Sequence, residues 1–484
     1  RLELEPDAYI AKETEKSPGL VMEGLYGEAA FSAQIKLPAK INSSGNIVSY
    51  DLSRKSPFDF TLADLDLTGF LDISDEKVIR LDDLDLKYQK KSIASGHVHH
   101  DIKGESYKRR ITGELETGES SFEIDIKETE NDAVSTWSGK VMSPALKLQD
   151  ILTEQAPLRQ VINAISSVVK QEAEEDEAKA NPETIPFTFD PPYFDITFDI
   201  QSLISAETDF GSLSLRYISD DKSWRIDDIK GSLISNDIDA HYAFMEAKPE
   251  EDAANMVTFD TSIKIRDLQY GDVQEALTEK SLASGAADIN IRLKSKGQNR
   301  QEIRENLSGR LSVIAKEGSL ASSAINRWGS GLVNAVFPKK DKPDELRMNC
   351  TLIDFNVENG IAKTKTFFMD TKRVRIVGEG ELDFIKDEID LVLTPSSKKM
   401  VLFDVAPAVV VKGPITSPSA SPSTLSMGRK IGGLLLGLVN PAFLAVSMAD
   451  FGVSDDHPCM DAIKDLEKSI SDSDEKAMQD KSDN

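Results

Sequence analysis

Apolar and polar residues alternate one for one along many short stretches of this chain, and a period of two marks a strand with one dry face and one wet face. Phe194, Ile196, Phe198 and Ile200 alternate with Asp195, Thr197 and Asp199, and Leu213, Leu215 and Tyr217 resume the pattern after Gly211. Val257, Phe259, Thr261, Ile263 and Ile265 form a third run. Phe122, Ile124 and Ile126, then Ile289, Ile291 and Leu293, then Ile389, Leu391 and Leu393 repeat it, mostly with charged or amide residues between. Each run predicts a half-exposed antiparallel strand. Turn chemistry at Ser44-Gly45-Asn46, Thr117-Gly118, Asn359-Gly360 and Gly378-Glu379-Gly380 separates the strands and predicts a serial meander.

At Leu81-Asp82-Asp83-Leu84 two apolar phases collide, so the register must slip by one residue through a β-bulge or a corner, which also bends a sheet. Arg80 to Leu84 and Arg225 to Ile229 share the pattern Arg-aliphatic-Asp-Asp-aliphatic, each followed by a strand carrying His99 or His241. Divergent repeats of one strand unit explain both the match and the monotonous alternation.

Helical signals are few. Leu148, Ile151, Leu152, Leu158, Val161, Ile162, Ile165 and Val168 follow a three-to-four period within Leu146 to Gln171, broken near Pro157, and predict one or two amphipathic helices. The acidic run from Glu172 to Glu177, ending near Asn181-Pro182, reads as a solvated linker. A second helix is expected from Ser319 to Phe337, stopping at Pro338. The apolar stretch Ile431 to Ala449 holds Gly432, Gly433 and Asn440-Pro441, and favours two short buried or amphipathic pieces over one membrane-spanning helix. The expected organisation is a strand-rich segment over residues 1–145, helix and linker over 146–185, a second strand-rich region over 186–425, and an apolar helical segment with a polar tail over 426–484.

Composition narrows the function. A formal net charge of −26 repels a phosphate backbone, which argues against nucleic acid as a partner. With 39% hydrophobic and 29% charged residues, the chain suits ordered structure with a solvated outer surface. Its two cysteines, Cys350 and Cys459, show no zinc-type spacing; they form one disulfide in an oxidising compartment or stay two separate thiols in a reducing one. The opening Arg1-Leu-Glu-Leu-Glu lacks Met and an apolar run, so a piece of a longer protein is expected.

His97, His99 and His100 beside Asp101 are the nearest approach to a metal set, with His97 and His99 sharing a strand face. No second ligand cluster accompanies them, so an exposed strand end is the simpler reading and no metal is expected. The nucleophile elbow, the P-loop, the zinc-protease motif and the dinucleotide fingerprint are all missing from the sequence. No catalytic residue and no cofactor are therefore expected. The carboxylates mostly occupy the polar positions of alternating strands, where they act as solubilising charge.

What remains distinctive is a surplus of amphipathic strands beside few helices able to cover them. Either two sheets close on each other, or one elongated, curved antiparallel sheet forms a trough whose dry face takes a ligand. Strand parity assigns Phe194, Ile196, Phe198, Ile200, Leu213, Leu215, Phe259, Ile263, Ile265, Ile289, Ile291, Leu293, Ile389, Leu391 and Leu393 to that dry face. Acyl chains are the natural filler, because each sheltered methylene is worth about 0.8 kcal/mol and two chains of roughly 16 carbons about 25 kcal/mol.

Several segments resemble a known family. Ala287-Asp-Ile-Asn-Ile-Arg-Leu-Lys-Ser-Lys-Gly297, Leu307-Ser-Gly-Arg-Leu311 and Lys316-Glu-Gly-Ser-Leu-Ala321 are similar to the core of the AsmA-like C-terminal region. Cys350-Thr-Leu-Ile-Asp-Phe-Asn-Val-Glu-Asn-Gly360, Val377-Gly-Glu-Gly-Glu-Leu-Asp-Phe384, Val409-Val-Val-Lys-Gly-Pro414, Leu434 to Leu444 and Asp456-His-Pro-Cys459 continue the likeness in order. It covers Phe194 to Lys464, and more weakly Leu62 to Ile151. The resemblance implies a bacterial envelope protein held in the inner membrane by an N-terminal helix absent from this chain, with a periplasmic β-groove carrying phospholipid toward the outer membrane. It also implies a Cys350–Cys459 disulfide. The competing expectation is an assembly factor that engages outer-membrane proteins through a free strand edge.

Overall fold

The computed structural model describes residues 19–26, 29–37, 39–41, 47–50, 54–62, 65–75, 77–101, 107–131, 134–152, 156, 159–160, 193–205, 208–232, 237–246, 256–278, 283–321, 345–372, 374–398, 408–422, 459, 463–464, 466–468 and 470. The chain is mainly β with a few short helices, and it divides into two units, Arg1–Leu233 and Ile234–Asn484.

The first unit contains β1 (Gly19–Tyr26), β2 (Ala29–Lys36), β3 (Ala39–Ile41), β4 (Ile47–Tyr50), β5 (Ser56–Leu62), β6 (Leu65–Asp75), β7 (Val78–Tyr88), β8 (Lys91–Asp101), β9 (Arg109–Thr117), β10 (Ser120–Asn131), β11 (Val134–Ser143), β12 (Leu146–Lys147), β13 (Tyr193–Ile200), β14 (Leu203–Ser205), β15 (Thr208–Asp209), β16 (Leu213–Ser219) and β17 (Ser223–Ser232). β3 and β4 form a separate hairpin, and β12, β14 and β15 a small sheet. The others pair in chain order as an antiparallel meander, with one exception. β11 pairs β13 in parallel, so the expected meander is broken there. The chain leaves β11 through β12 and the helix Gln149–Leu152 before returning in the same direction, as a parallel pair requires.

The second unit is a meander of β18 (Asp237–Glu246), β19 (Val257–Gln269), β20 (Ala283–Gly297), β21 (Ser308–Ala321), β22 (Glu345–Glu358), β23 (Ile361–Thr371), β24 (Val374–Asp383), β25 (Glu388–Ser397), β26 (Val409–Pro414) and β27 (Ser419–Pro422), antiparallel throughout. Neither unit closes on itself: among the described residues no pairing joins the first strand of either unit to its last.

Thr117-Gly118 and Asn359-Gly360 form tight turns, with φ of 60° at Gly118 and 51° and 74° across the Asn-Gly pair. Gly378 and Gly380 do not turn the chain. They lie inside β24, where a Cβ on Gly378 would come within 2.7 Å of the Phe367 ring, so glycine there makes room for an aromatic on the neighbouring strand. Ser319 to Ala321 are the end of β21, paired with β22, and not the start of a helix; the remainder of the expected helix to Phe337 lies outside the described residues. Of the helix expected over Leu146 to Gln171, Leu146 and Lys147 are strand and Gln149–Leu152 is a single helical turn. The acidic linker and the stretch Ile431 to Ala449 lie outside the described residues. No helix among the described residues is long and apolar enough to cross a membrane.

The register slips between Leu81 and Leu84, with Asp83 at φ 50°. In the second copy, Asp228 takes φ 51° where the pairing of β17 with β16 shifts. A third instance, Lys264-Ile265-Arg266-Asp267-Leu268, places Asp267 at φ 56° where the pairing of β19 with β20 shifts between Ile265 and Leu268. The shared element is basic-aliphatic-x-Asp-aliphatic, and its Asp tolerates the left-handed conformation that a bulge needs.

Candidate functional site

Paired residues of neighbouring strands point to the same side of a sheet, so register alone sorts side chains by face. In the second unit Ile265 pairs with Ile289, Ile263 with Ile291 and Thr261 with Leu293, while Phe259 lies on the same side, across from Phe244. Ile289 and Ile291 continue to Val313 and Leu311, and those to Ile353 and Phe355. Through Leu293–Gly309, Gly309–Val357, Val357–Ala362 and Ala362–Leu382 the same face reaches Ile389, Leu391 and Leu393. All nine residues assigned by parity in this unit thus share one side. Phe259, Phe355, Val357, Leu391 and Leu393 are buried, but Ile263, Ile265, Ile289, Ile291, Leu293, Ile353 and Val313 are only half-buried although they sit on interior strands.

The first unit repeats the arrangement. Phe198 pairs with Leu215, Ile200 with Leu213 and Ile196 with Tyr217; across the parallel pair Phe194, Ile196 and Phe198 meet Trp137, Gly139 and Val141. The face continues through Ile124, Ile126 and Ile111. Ile196 is buried, and Phe194, Phe198, Ile200, Leu213 and Leu215 are half-buried.

The two margins of this face differ. At one, Asp150 accepts from the Ser120 hydroxyl at 2.7 Å and the Glu119 N–H at 2.9 Å, and β12 bonds to the chain beside β14, so short elements tie the strand ends together. At the other, the row Arg109, Glu128, Trp137, Phe194, Ser219 and Trp224 runs strand by strand across the sheet. Glu128 is 2% exposed. Arg109 donates from Nε to its Oε2 and from Nη2 to Oε1 at 3.1 Å, and the Ser135 hydroxyl also donates to it. These bonds, the Arg109 pair first, hold the Glu128 carboxyl below the usual carboxylate range. The Arg109 guanidinium lies 5.5 Å from the Trp137 ring centre. Strand parity assigned Phe194 of this row but not Arg109, Glu128, Trp137 or Trp224, because it reads runs of apolar positions and ignores a charged pair seated among them.

The opposite faces are polar and ion-paired. In the second unit Asp354, 1% exposed, accepts from Arg310 at 2.7 and 2.9 Å, and Asp370, fully buried, meets Lys398 at 2.7 Å, Arg375 at 3.3 Å and Asn349 at 2.6 Å. One apolar patch interrupts this face: Ile314, Cys350, Leu352 and Phe368 are sealed under Cys459 and Leu466, with Ile463 and Ile470 packed alongside. The Cys350–Cys459 disulfide, Cα to Cα 6.0 Å, links sheet and cover. In the first unit His97 and His99 share the polar face, ring centres 5.4 Å apart, over a shallow cavity of about 450 Å³ with Glu114, Glu123, Asp125 and Lys140. Among the described residues no three His, Cys, Asp or Glu side chains gather as a metal site.

The sequence profile of the AsmA family matches residues 63–367, well over half the chain. The chain belongs to the AsmA family. The match takes in the N-terminal strands from β6 onward, where the segment-by-segment likeness was weaker. A similar curated protein is the AsmA family protein YhjG of Escherichia coli (strain K12), 23% identical over 208 residues, which are 43% of this chain and 30% of that protein. This AsmA-family chain therefore spans under a third of the curated relative it matches. No solved structure matches it.

Proposed function

We propose that this AsmA-family chain holds and conducts phospholipid acyl chains along the apolar faces of its sheets, without catalysis, in the envelope between inner and outer membrane. One observation carries the reading: a block of aliphatic residues on interior strands, Ile263, Ile289, Ile291, Leu293, Val313 and Ile353, stays half-buried on one side, while the other side is polar and ion-paired. A sheet face of this kind favours an apolar occupant, at about 25 cal/mol for each Å² removed from water. Acyl chains suit it because they are flexible, apolar along their length and need no hydrogen-bonding partners. Periplasmic placement and attachment to the inner membrane follow family membership and belong to the same proposal, as does the use of the disulfide in an oxidising compartment.

The alternative, capture of outer-membrane polypeptides by strand addition, is less well supported. The last strand among the described residues, β27, is four residues long, ends in Pro422 and follows Pro418, and proline and brevity both blunt an edge. Native mass spectrometry of the purified chain, with organic extraction, tests the proposal. Co-purifying phospholipid is the expected result; a chain that stays lipid-free after exposure to phospholipid vesicles contradicts it.

A further inference from the structure

The first unit's apolar face has a chemically distinct margin, and it matches the anatomy of a phospholipid. Inward from that margin the rows are hydrocarbon: Ile111, Ile126 and Ile196, then Ile124, Val141 and Phe198. On the margin itself stand Trp137, Phe194 and Trp224, with Tyr217 one row in, its ring centre 6.3 Å from Phe194 and 6.1 Å from Trp224. The Trp and Tyr rings are apolar in body and polar at one edge, which suits the boundary between acyl chain and headgroup. Arg109 completes the row. Glu128 engages its Nε and Nη2, fixing the fork, and leaves Nη1 with further donors on a side chain that is 44% exposed. Lys108 adds a second cation at the same strand ends, 3.2 Å from Glu130. His100, on this face opposite Ile111, has its ring Nε2 buried without a hydrogen-bond partner among the described residues.

We infer that the Arg109–Trp137–Trp224 margin seats the glycerol-phosphate end of a phospholipid whose acyl chains lie across the rows inward of it. The phosphate accepts from Arg109, Glu128 aims that guanidinium, and the aromatic rings cover the ester region. The inference rests on the lipid-holding function proposed above and adds the direction in which each lipid lies.

The test uses the full chain with Trp137 as its sole tryptophan, through Trp224→Phe and Trp328→Phe. The probe is phosphatidylglycerol vesicles brominated on the acyl chain either near the glycerol or near the terminal methyl. Stronger quenching of Trp137 by bromine near the glycerol is the expected result. The double variant Arg109→Gln with Glu128→Gln, which leaves no orphaned charge, is expected to retain about tenfold less lipid, as loss of one charge-assisted bond implies. Equal or stronger quenching by bromine near the methyl overturns the assignment while leaving lipid holding intact. So does lipid retention with no quenching by either probe. Absence of both quenching and retained lipid removes the proposed function as well. Should the double variant fail to fold, the order of quenching with Arg109 and Glu128 in place still decides.

Discussion

The two faces of the second unit's sheet carry similar aliphatic residues and bury them to different degrees. Under the disulfide-linked C-terminal segment, Cys350 and Leu352 are 0% exposed and Ile314 is 3% exposed. On the other side Val313 of β21, Ile353 of β22 and Ile291 of the adjacent β20 remain half-buried, although Phe355 and Val357 further along β22 are buried. Strand chemistry is constant across the pair, so the difference comes from the cover. A β-sheet buries its apolar side chains fully only when a second layer lies on them. Where the described residues supply that layer a covalent link comes with it; where they do not, the face stays half-buried, and it is there that the proposed function places acyl chains.

That contrast is open to graded tests. The largest effect is expected from Arg310→Leu on the polar face, which leaves the buried Asp354 carboxylate with Lys365 at 3.9 Å in place of its two-bonded guanidinium and should cost about 3–5 kcal/mol in urea unfolding. Leu352→Ala empties space beneath the cover and is expected to cost about 2–5 kcal/mol, whereas Ile291→Ala on the half-buried face should cost about 1 kcal/mol without lipid. Adding phospholipid vesicles should widen the Ile291→Ala deficit and leave that of Leu352→Ala unchanged. Similar costs for the two alanine variants, insensitive to lipid, would erase the distinction between covered and uncovered faces. Cys459→Ser removes a cross-link spanning 109 residues and should lower stability by about 2–4 kcal/mol, with release of the cover visible as faster hydrogen exchange in β22 and β23.

The smallest effect concerns Glu379 of β24, whose carboxyl is pushed up by burial. A raised carboxylate pKa means the folded chain holds that proton more tightly than the unfolded chain. The charged form penalises the fold above the folded pKa, and the penalty fades as pH falls toward the unfolded value near about 4.3. Glu379→Gln should therefore raise Tm slightly at neutral pH and make no difference under acid conditions, as thermal scans across pH would register.

Much of this arrangement was legible in the sequence, because a strand's period of two is a local property. The alternation of Phe194 to Ile200 and of Ile289 to Leu293 assigned each residue to a face without knowledge of its neighbours, and the collision at Leu81 to Leu84 exposed its bulge. What escaped depended on partners distant in sequence. Gly378 and Gly380 resemble turn residues until Phe367 is seen lying against one of them. The parallel pairing of β11 with β13 depends on where the chain returns after a long excursion, and alternation carries no direction. The third bulge, at Asp267, has Arg266 where the other two have a second Asp, so the five-residue match hid a shorter rule. The Arg109–Glu128 pair leaves no mark in the alternation, since only register seats the two on the apolar side.

Photo-crosslinking at adjacent residues of one strand tests the central claim most directly. Ile291 and Asn290 are neighbours on β20 and point to opposite faces. A benzophenone amino acid installed at Ile291, with the chain loaded from phospholipid vesicles, is expected to capture phospholipid, and the same group at Asn290 is not. Equal capture at the two positions, or none at Ile291, would contradict the account.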